Sequence, residues 1–308
     1  MGGKHVIADA AGHRGQSGGG QGPLVLRNAF ETAFGCARNF LNNRFVYVVL
    51  SSRANGLSVG VNLNPDKRCN FSCIYCEVDR SIPGCADQLE VPVMVEELRS
   101  TLTLAAEGRL HNLAAFKGLP PDLLKPRQVA LSGDGEPTLS PKFCEAVNAV
   151  VHLRAVCGLP FFKIVLVTNT TGLDQPAVQA SLHSLTPQDE LWLKLDGGSR
   201  SYIERINRPK VPFEKVLENI LLTGKQRPIV IQSLFPSVSG QEPSQDEIDQ
   251  YVMRLCELKE AGAQISLVQV YSATRPTMHP ECGHLPLKTL SKIAQVVRTR
   301  TGLNVEVY

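Results

Sequence analysis

Cys69, Cys73 and Cys76 stand close enough in the chain to share one metal centre, spaced C-x3-C-x2-C. Thiolates are soft ligands that suit zinc and iron–sulfur clusters. Three of them are one short of the four that a closed zinc site or a fully ligated cluster requires. A [4Fe–4S] cube held by three cysteines leaves one iron open to bind another molecule, so the missing ligand becomes part of the chemistry. A zinc site would need a fourth ligand from elsewhere, such as Cys85 or the Cys282 and His284 pair, and would make the chain a binding module without catalysis. Incidental grouping of buried thiols is the remaining reading. The open cube accounts best for the spacing.

A second constellation runs from Ser132 through Gly133, Asp134, Gly135 and Glu136 to Pro137. Glycine lets backbone approach a ligand, and a carboxylate accepts a hydrogen bond from a cationic amine. By itself the segment also reads as a turn capped by Pro137. Asn169 and Asp196 each follow an apolar run, where such residues commonly cap helices and turns. The stretch from His279 to His284 offers a local metal-binding group or a polar surface loop. Cys144, Cys157 and Cys256 fall in apolar helical or helix-end contexts that suit buried thiols.

These residues need a scaffold, and the hydrophobic pattern supplies one. Apolar runs at 57–63, 128–131, 163–167, 191–195, 229–234 and 265–270 alternate with amphipathic segments at about 92–107, 140–154, 174–184, 213–223, 244–260 and 286–300. Six such βα units predict parallel strands joined by crossover helices. Polar or Gly-rich clusters follow all six strands, which predicts a continuous rim around a barrel mouth rather than the single switch point of an open sheet. Ahead of this core, residues 1–22 read as a disordered tail, and 23–56 as a helix over Arg27 to Asn42 followed by a strand at 45–50. A turn at Ala54, Asn55 and Gly56 makes that strand the first arm of a hairpin whose second arm opens the 57–308 core.

With the motifs and their order in place, the chain resembles the radical S-adenosylmethionine (SAM) enzymes, whose cluster motif is C-x3-C-x-aromatic-C. Tyr75 fills the aromatic place, which the resemblance puts near the adenine of SAM. Gly135 and Glu136 match the segment that holds the methionine amino group in that family, with Asp134 in the place of its first glycine. Thr168 and Asn169 resemble the segment near the SAM ribose, and Lys194 to Gly197, with Asp196, the next polar rim segment. Within the superfamily the chain is similar to the wyosine-synthase-like, tRNA guanosine-modifying group and its bacterial relatives, through residues 132–141, 205–209 and 269–276. It departs from the wyosine synthases in having only Cys36 ahead of the triplet, where they carry further cysteines for a second cluster.

The resemblance implies a partial (β/α)6 TIM-like barrel with an N-terminal helix and hairpin, a [4Fe–4S] cluster and SAM as cofactors, and an electron donor such as flavodoxin or ferredoxin. It implies reductive cleavage of SAM to methionine and a 5′-deoxyadenosyl radical that abstracts hydrogen from a substrate. An RNA nucleoside is the first substrate expected, with Arg200, Arg205, Arg208 and Lys210 as phosphate contacts or simply a solvated face. A small metabolite, peptide or partner enzyme is the alternative.

Composition sets outer limits. With 43% hydrophobic and 20% charged residues, the chain can bury a large core and is neither fibrous nor wholly disordered. A formal charge of +3 is too small to announce nucleic-acid binding. No run nears the roughly 20 apolar residues of a membrane span, and nine cysteines, an odd number, fit the reducing cytosol better than a disulfide framework.

Overall fold

The computed structural model describes residues 40–275, 277 and 279–308. β1 (Val46–Ser51) and β2 (Gly56–Asn62) form the expected antiparallel hairpin, in register from Val46 opposite Val61 to Ser51 opposite Gly56. Asn55 and Gly56 both take positive φ at the turn, as a reversal between two twisted strands requires.

From β2 onward every further strand of the main sheet is added parallel. α1 (Val91–Ala106) leads to β3 (Pro126–Ser132), α2 (Phe143–Val156) to β4 (Lys163–Thr168) and α3 (Pro176–Leu182) to β5 (Glu190–Lys194). α4 (Arg200–Ile206) and α5 (Phe213–Gln226) precede β6 (Ile229–Leu234). A two-residue β7 (Ser237–Val238) then precedes α6 (Gln245–Glu260) and β8 (Ile265–Tyr271). β9 (Cys282–Gly283) pairs with β7, and α7 (Leu287–Thr301) leads to the last strand, β10 (Val305–Val307). The eight-stranded sheet runs β1-β2-β3-β4-β5-β6-β8-β10. It curls without β1 pairing to β10, and so forms an open partial barrel.

Strand alternation separates two environments. Val59, Val61, Val129, Leu131, Ile164, Leu166, Leu191, Leu193, Ile231 and Val268 belong to the main core, which also takes in the buried faces of the helices. The alternate residues Val165, Trp192 and Val230 form a separate small cluster. Ser58, Gln128, Gln232 and Gln269 share that alternation and are buried and polar, with Gln128 donating to Ser58 Oγ at 3.1 Å and Gln232 to Gln269 Oε1 at 3.0 Å. The runs therefore look continuously apolar only in part, because one sheet face meets helices and the other meets polar side chains.

Differences from the sequence expectation are local. The helix placed over Arg27 to Asn42 lies mostly outside the described residues, as does the tail. Its last residues, Phe40–Asn42, form a 3-10 turn in which Leu41 and Asn42 take positive φ, so no α-helix reaches Asn42. α4, β7, β9 and β10 were absent from the hydrophobic pattern because each is too short to show a period. Among the described residues no helix is long and apolar enough to cross a membrane.

Candidate metal centre and ligand pocket

The cysteine loop leaves the C-terminal end of β2 and is gripped from two sides. On the β3 side, a Cβ at Gly135 would lie 1.8 Å from the Arg68 carbonyl oxygen, and the Glu136 N–H donates to that oxygen at 3.2 Å. The close approach that glycine permits here is to the chain itself, at a residue that also lines the pocket described below. On the other side, Ser72 N–H donates to Asn207 O at 3.0 Å, Ile74 N–H to Ile206 O at 2.8 Å and Lys210 N–H to Asn70 O at 2.9 Å. The end of α4 therefore runs alongside the cysteine loop through main-chain bonds that no residue pattern signals.

Each of the three sulfurs receives an N–H. Phe71 N–H reaches Cys69 Sγ at 3.4 Å, with Asn169 Nδ2 at 3.9 Å; Asn207 Nδ2 reaches Cys73 Sγ at 3.4 Å; Arg80 Nη1 reaches Cys76 Sγ at 3.2 Å. Burial, with the charge of Asp196, pushes the Cys73 thiol up to about 12 against hydrogen bonds from Tyr75 and Asn207. Burial also raises Cys69. Arg80 and Asn207 meet the thiols and were not among the expected site residues, although Asn207 lies in the 205–209 stretch that carries the family likeness. The position of Arg80 four residues after Cys76 was visible, but nothing in it indicated a contact.

Cys69, Cys73, Cys76, Tyr75, Asp134, Gly135, Glu136 and Asn169 all line one pocket, with about 660 Å³ of space partly open to solvent. Asp196 is not among its lining residues. It lies behind Tyr75, accepting from the Tyr75 hydroxyl and from Asn207 Nδ2 at 2.7 Å through one oxygen, and from Leu234 N–H at 2.8 Å through the other. Lys194 does line the pocket. Its ammonium sits 4.9 Å from the Tyr75 ring centroid, donates to Tyr271 Oη at 2.9 Å and lies 3.5 Å from Asp196. Burial alone would lower the Lys194 pKa, but Asp196 and Tyr271 raise it, so the side chain is a cation.

Glu136 is 2% exposed and its two oxygens are unequally engaged. Oε1 accepts from Thr138 N–H at 3.1 Å, Thr138 Oγ1 at 2.6 Å and the Thr168 hydroxyl, whereas Oε2 accepts from Asn169 N–H at 2.7 Å. A carboxylate oxygen carries about two lone-pair sites, so Oε2 keeps acceptor capacity. Burial raises the Glu136 pKa, opposed by its hydrogen bonds to Thr138, Thr168 and Asn169. Asn169 donates to Asn70 Oδ1 at 2.8 Å and accepts from Thr171 N–H at 3.1 Å, bracing the cysteine loop against β4. Asn62 fixes Asp134, donating to its carboxylate at 2.8 Å and accepting its N–H at 3.0 Å.

Other sequence expectations resolve differently. Among the described residues no group of three or more His, Cys, Asp or Glu is placed to hold a single metal ion. Cys85 Sγ meets Arg44 O at 3.3 Å, His284 Nδ1 meets Ala273 O at 3.2 Å, and His279 Nδ1 lies 3.3 Å from Glu281. The 279–284 stretch therefore carries the short strand β9 and meets protein partners, and among the described residues it does not gather a metal-binding group. Cys144, Cys157 and Cys256 are half-buried rather than fully buried, each with its sulfur near a backbone carbonyl. Of the four basic residues, Arg200 pairs with Glu214 at 2.5 Å and Arg208 with Glu281 at 3.5 Å.

The chain is 31% identical over 183 residues to a "UPF0026 protein" of Helicobacter pylori strain J99, covering 58% of this chain and 52% of that protein. It spans about half the length of the curated relatives it matches. Among solved structures, a radical SAM methyltransferase from Sphaerobacter thermophilus shares the fold with a TM-score of 0.59 at 15% identity, over 85% of this chain and 68% of that one. TYW1 with a lysine-pyruvate adduct bound does so with a TM-score of 0.52 at 17% identity, over 83% and 84%. The radical SAM family uses a [4Fe–4S] cluster and SAM. Residues 63–234, from the end of β2 to the end of β6, match the Radical SAM superfamily, and this chain belongs to it.

Proposed function

We propose that this chain is an enzyme that holds a [4Fe–4S] cluster on Cys69, Cys73 and Cys76, leaves the fourth iron to SAM, and uses the pair to abstract hydrogen from a substrate. The observation that carries this reading is the convergence of the three thiols with Gly135, Glu136 and Asn169 on one pocket, at the strand ends where ligands sit in parallel α/β folds. The donor set fits a cube better than zinc. A closed zinc site wants four protein ligands, whereas three thiols on one loop beside a pocket with room to spare match a cube with one iron free.

When bound, the cluster and SAM supply reductive cleavage of the sulfonium and the hydrogen-abstracting 5′-deoxyadenosyl radical. This chain's residues bind, orient and exclude water. Glu136 Oε2 offers its remaining lone pair to the ammonium of the methionine portion. Tyr75, fixed by Asp196 and Asn207, presents a ring to the pocket for the adenine. Asp134 and Asn169, engaged by Asn62 and Asn70, shape the wall rather than reach out of it. A cytosolic setting and a reductant of the flavodoxin or ferredoxin kind complete the proposal, because the thiols must stay reduced to take up a cluster.

Anaerobic reconstitution followed by incubation with dithionite and SAM tests it. The expected outcome is about four irons and four sulfides per chain, with release of 5′-deoxyadenosine. A chain that takes up zinc alone, or a cube with a fourth protein ligand, sinks the reading.

For the substrate we propose an RNA nucleoside, on a narrower footing than four basic residues. Arg205 and Lys210 are exposed on the segment that flanks the cysteine loop, and neither joins an ion pair among the described residues. If both meet phosphates, replacing them together with Gln lowers the salt slope of tRNA binding by about 1.4 to 1.8. Binding that is insensitive to salt, or absent, leaves a small metabolite, peptide or partner enzyme as the substrate.

A further inference from the structure

The three sulfurs are not equivalent in what they receive. Cys69 takes a main-chain N–H with the Asn169 side-chain amide beyond it, and Cys73 takes the amide of Asn207, all neutral donors. Cys76 takes a guanidinium N–H from Arg80 at 3.2 Å, which brings a full positive charge to its sulfur. The same side chain donates through Nε to Lys67 O at 3.2 Å and through Nη2 to Asp134 O at 3.3 Å. Arg80 is therefore anchored to both ends of the cysteine loop and to the Gly-rich segment after β3, so its charge is held beside Cys76 although the side chain is exposed.

Hydrogen bonds to cluster sulfurs and nearby net charge are among the factors that set iron–sulfur reduction potentials. A donor carrying charge interacts more strongly than a neutral one, and more strongly still with the more negative partner. Resting on the reading of Cys69, Cys73 and Cys76 as cluster ligands, we propose that Arg80 is a positioning residue that sets the cluster's reduction potential: its guanidinium, hydrogen-bonded to Cys76, favours the one-electron reduced state. Lys would keep the charge and lose the planar fork. Gln would keep an amide donor and lose the charge.

The test is an anaerobic redox titration, followed by electron paramagnetic resonance without SAM, of the full chain, Arg80→Gln and Arg80→Lys after reconstitution. Arg80→Gln is expected to hold iron and sulfide as the native chain does, yet to show about a tenfold lower ratio of reduced to oxidised cluster at a fixed potential, which is 59 mV for a one-electron couple. Arg80→Lys is expected to stay within about twofold of the native ratio, since the charge is retained. The inference is overturned if Arg80→Gln titrates with the native chain, or if both variants shift together, because the fork's stapling and not its charge would then be responsible. Should Arg80→Gln fail to hold iron, Arg80→Lys decides alone, and a tenfold shift there overturns the inference. A native chain that takes up no cube sinks the functional reading itself, whereas a loaded native chain with an unshifted Arg80→Gln sinks only this inference.

Discussion

Glu136 shows how one carboxylate can brace the fold and still keep an oxygen for the ligand proposed above. Oε1 is filled by Thr138 and Thr168, capping the short 3-10 turn that begins at Pro137, while Oε2 takes one N–H from Asn169. Replacing it with Ala strands buried donors from three residues, and each stranded donor costs about 1–3 kcal/mol. The two threonine hydroxyls can turn to other partners, so the two main-chain donors set the scale: Glu136→Ala is expected to lose about 2–6 kcal/mol of stability in denaturant unfolding, and Glu136→Gln less, because an amide oxygen still accepts. In reconstituted protein that has folded, both changes are expected to weaken SAM binding while iron content is retained. Lost iron in the Gln variant would assign Glu136 a purely structural role. Asn207 has the same double character: its one amide reaches Cys73, Tyr75 and Asp196.

Elements act here by pressing loops together. The glycine at 135 exists because the loop from β2 crosses the loop from β3 at backbone contact, so Gly135→Ala must displace the Arg68 carbonyl from 1.8 Å. The expected outcome is retained far-ultraviolet circular dichroism with reconstituted iron well below that of the native chain. Native-like iron would show that the cysteine loop does not depend on this contact. Below the rim, Asp189 ties α2 to the strands. Its carboxylate accepts a two-pronged bond from Arg154 at 2.6 and 3.0 Å, and also Ile164 N–H at 2.7 Å and Thr186 N–H at 2.8 Å. Burial would raise its pKa, but Arg154 and these donors hold it below the usual 3.8. A carboxyl lowered on folding adds stability above its unfolded value and loses it as pH falls through its folded one. The native chain is thus expected to lose this contribution only below about pH 3.8, and Asp189→Asn to flatten the acid limb. With Arg154 left buried and unpaired, Asp189→Asn also costs about 3–5 kcal/mol near neutral pH.

At the scale of the whole molecule, the hairpin and the barrel are one body. Arg53, on the turn between β1 and β2, lies 4.3 Å from the Tyr271 ring centroid at the end of β8 and 6.0 Å from Trp192 on β5. Trp192 is the chain's single tryptophan and is 3% exposed, so its emission reports on this closure. Arg53→Ala is expected to cost about 1 kcal/mol through the lost cation–π contacts and to shift the Trp192 emission to the red. Unchanged emission would mean that the hairpin does not shield the tryptophan. What the sequence by itself determined was local: the spacing of the cysteine triplet, the Asn55-Gly56 turn, the six strand runs and the long helices between them, because spacing and period are properties of neighbours along a chain. Only the tertiary structure decided which residues meet those sulfurs. It brought Asn207 to Cys73 across 134 positions, gave Gly135 its reason in the Arg68 carbonyl, withdrew Asp196 behind Tyr75 and folded Arg80 back onto Cys76. The physical reason is that a hydrogen bond depends on separation in space and on direction, and loops set both through main-chain contacts that carry no side-chain signature.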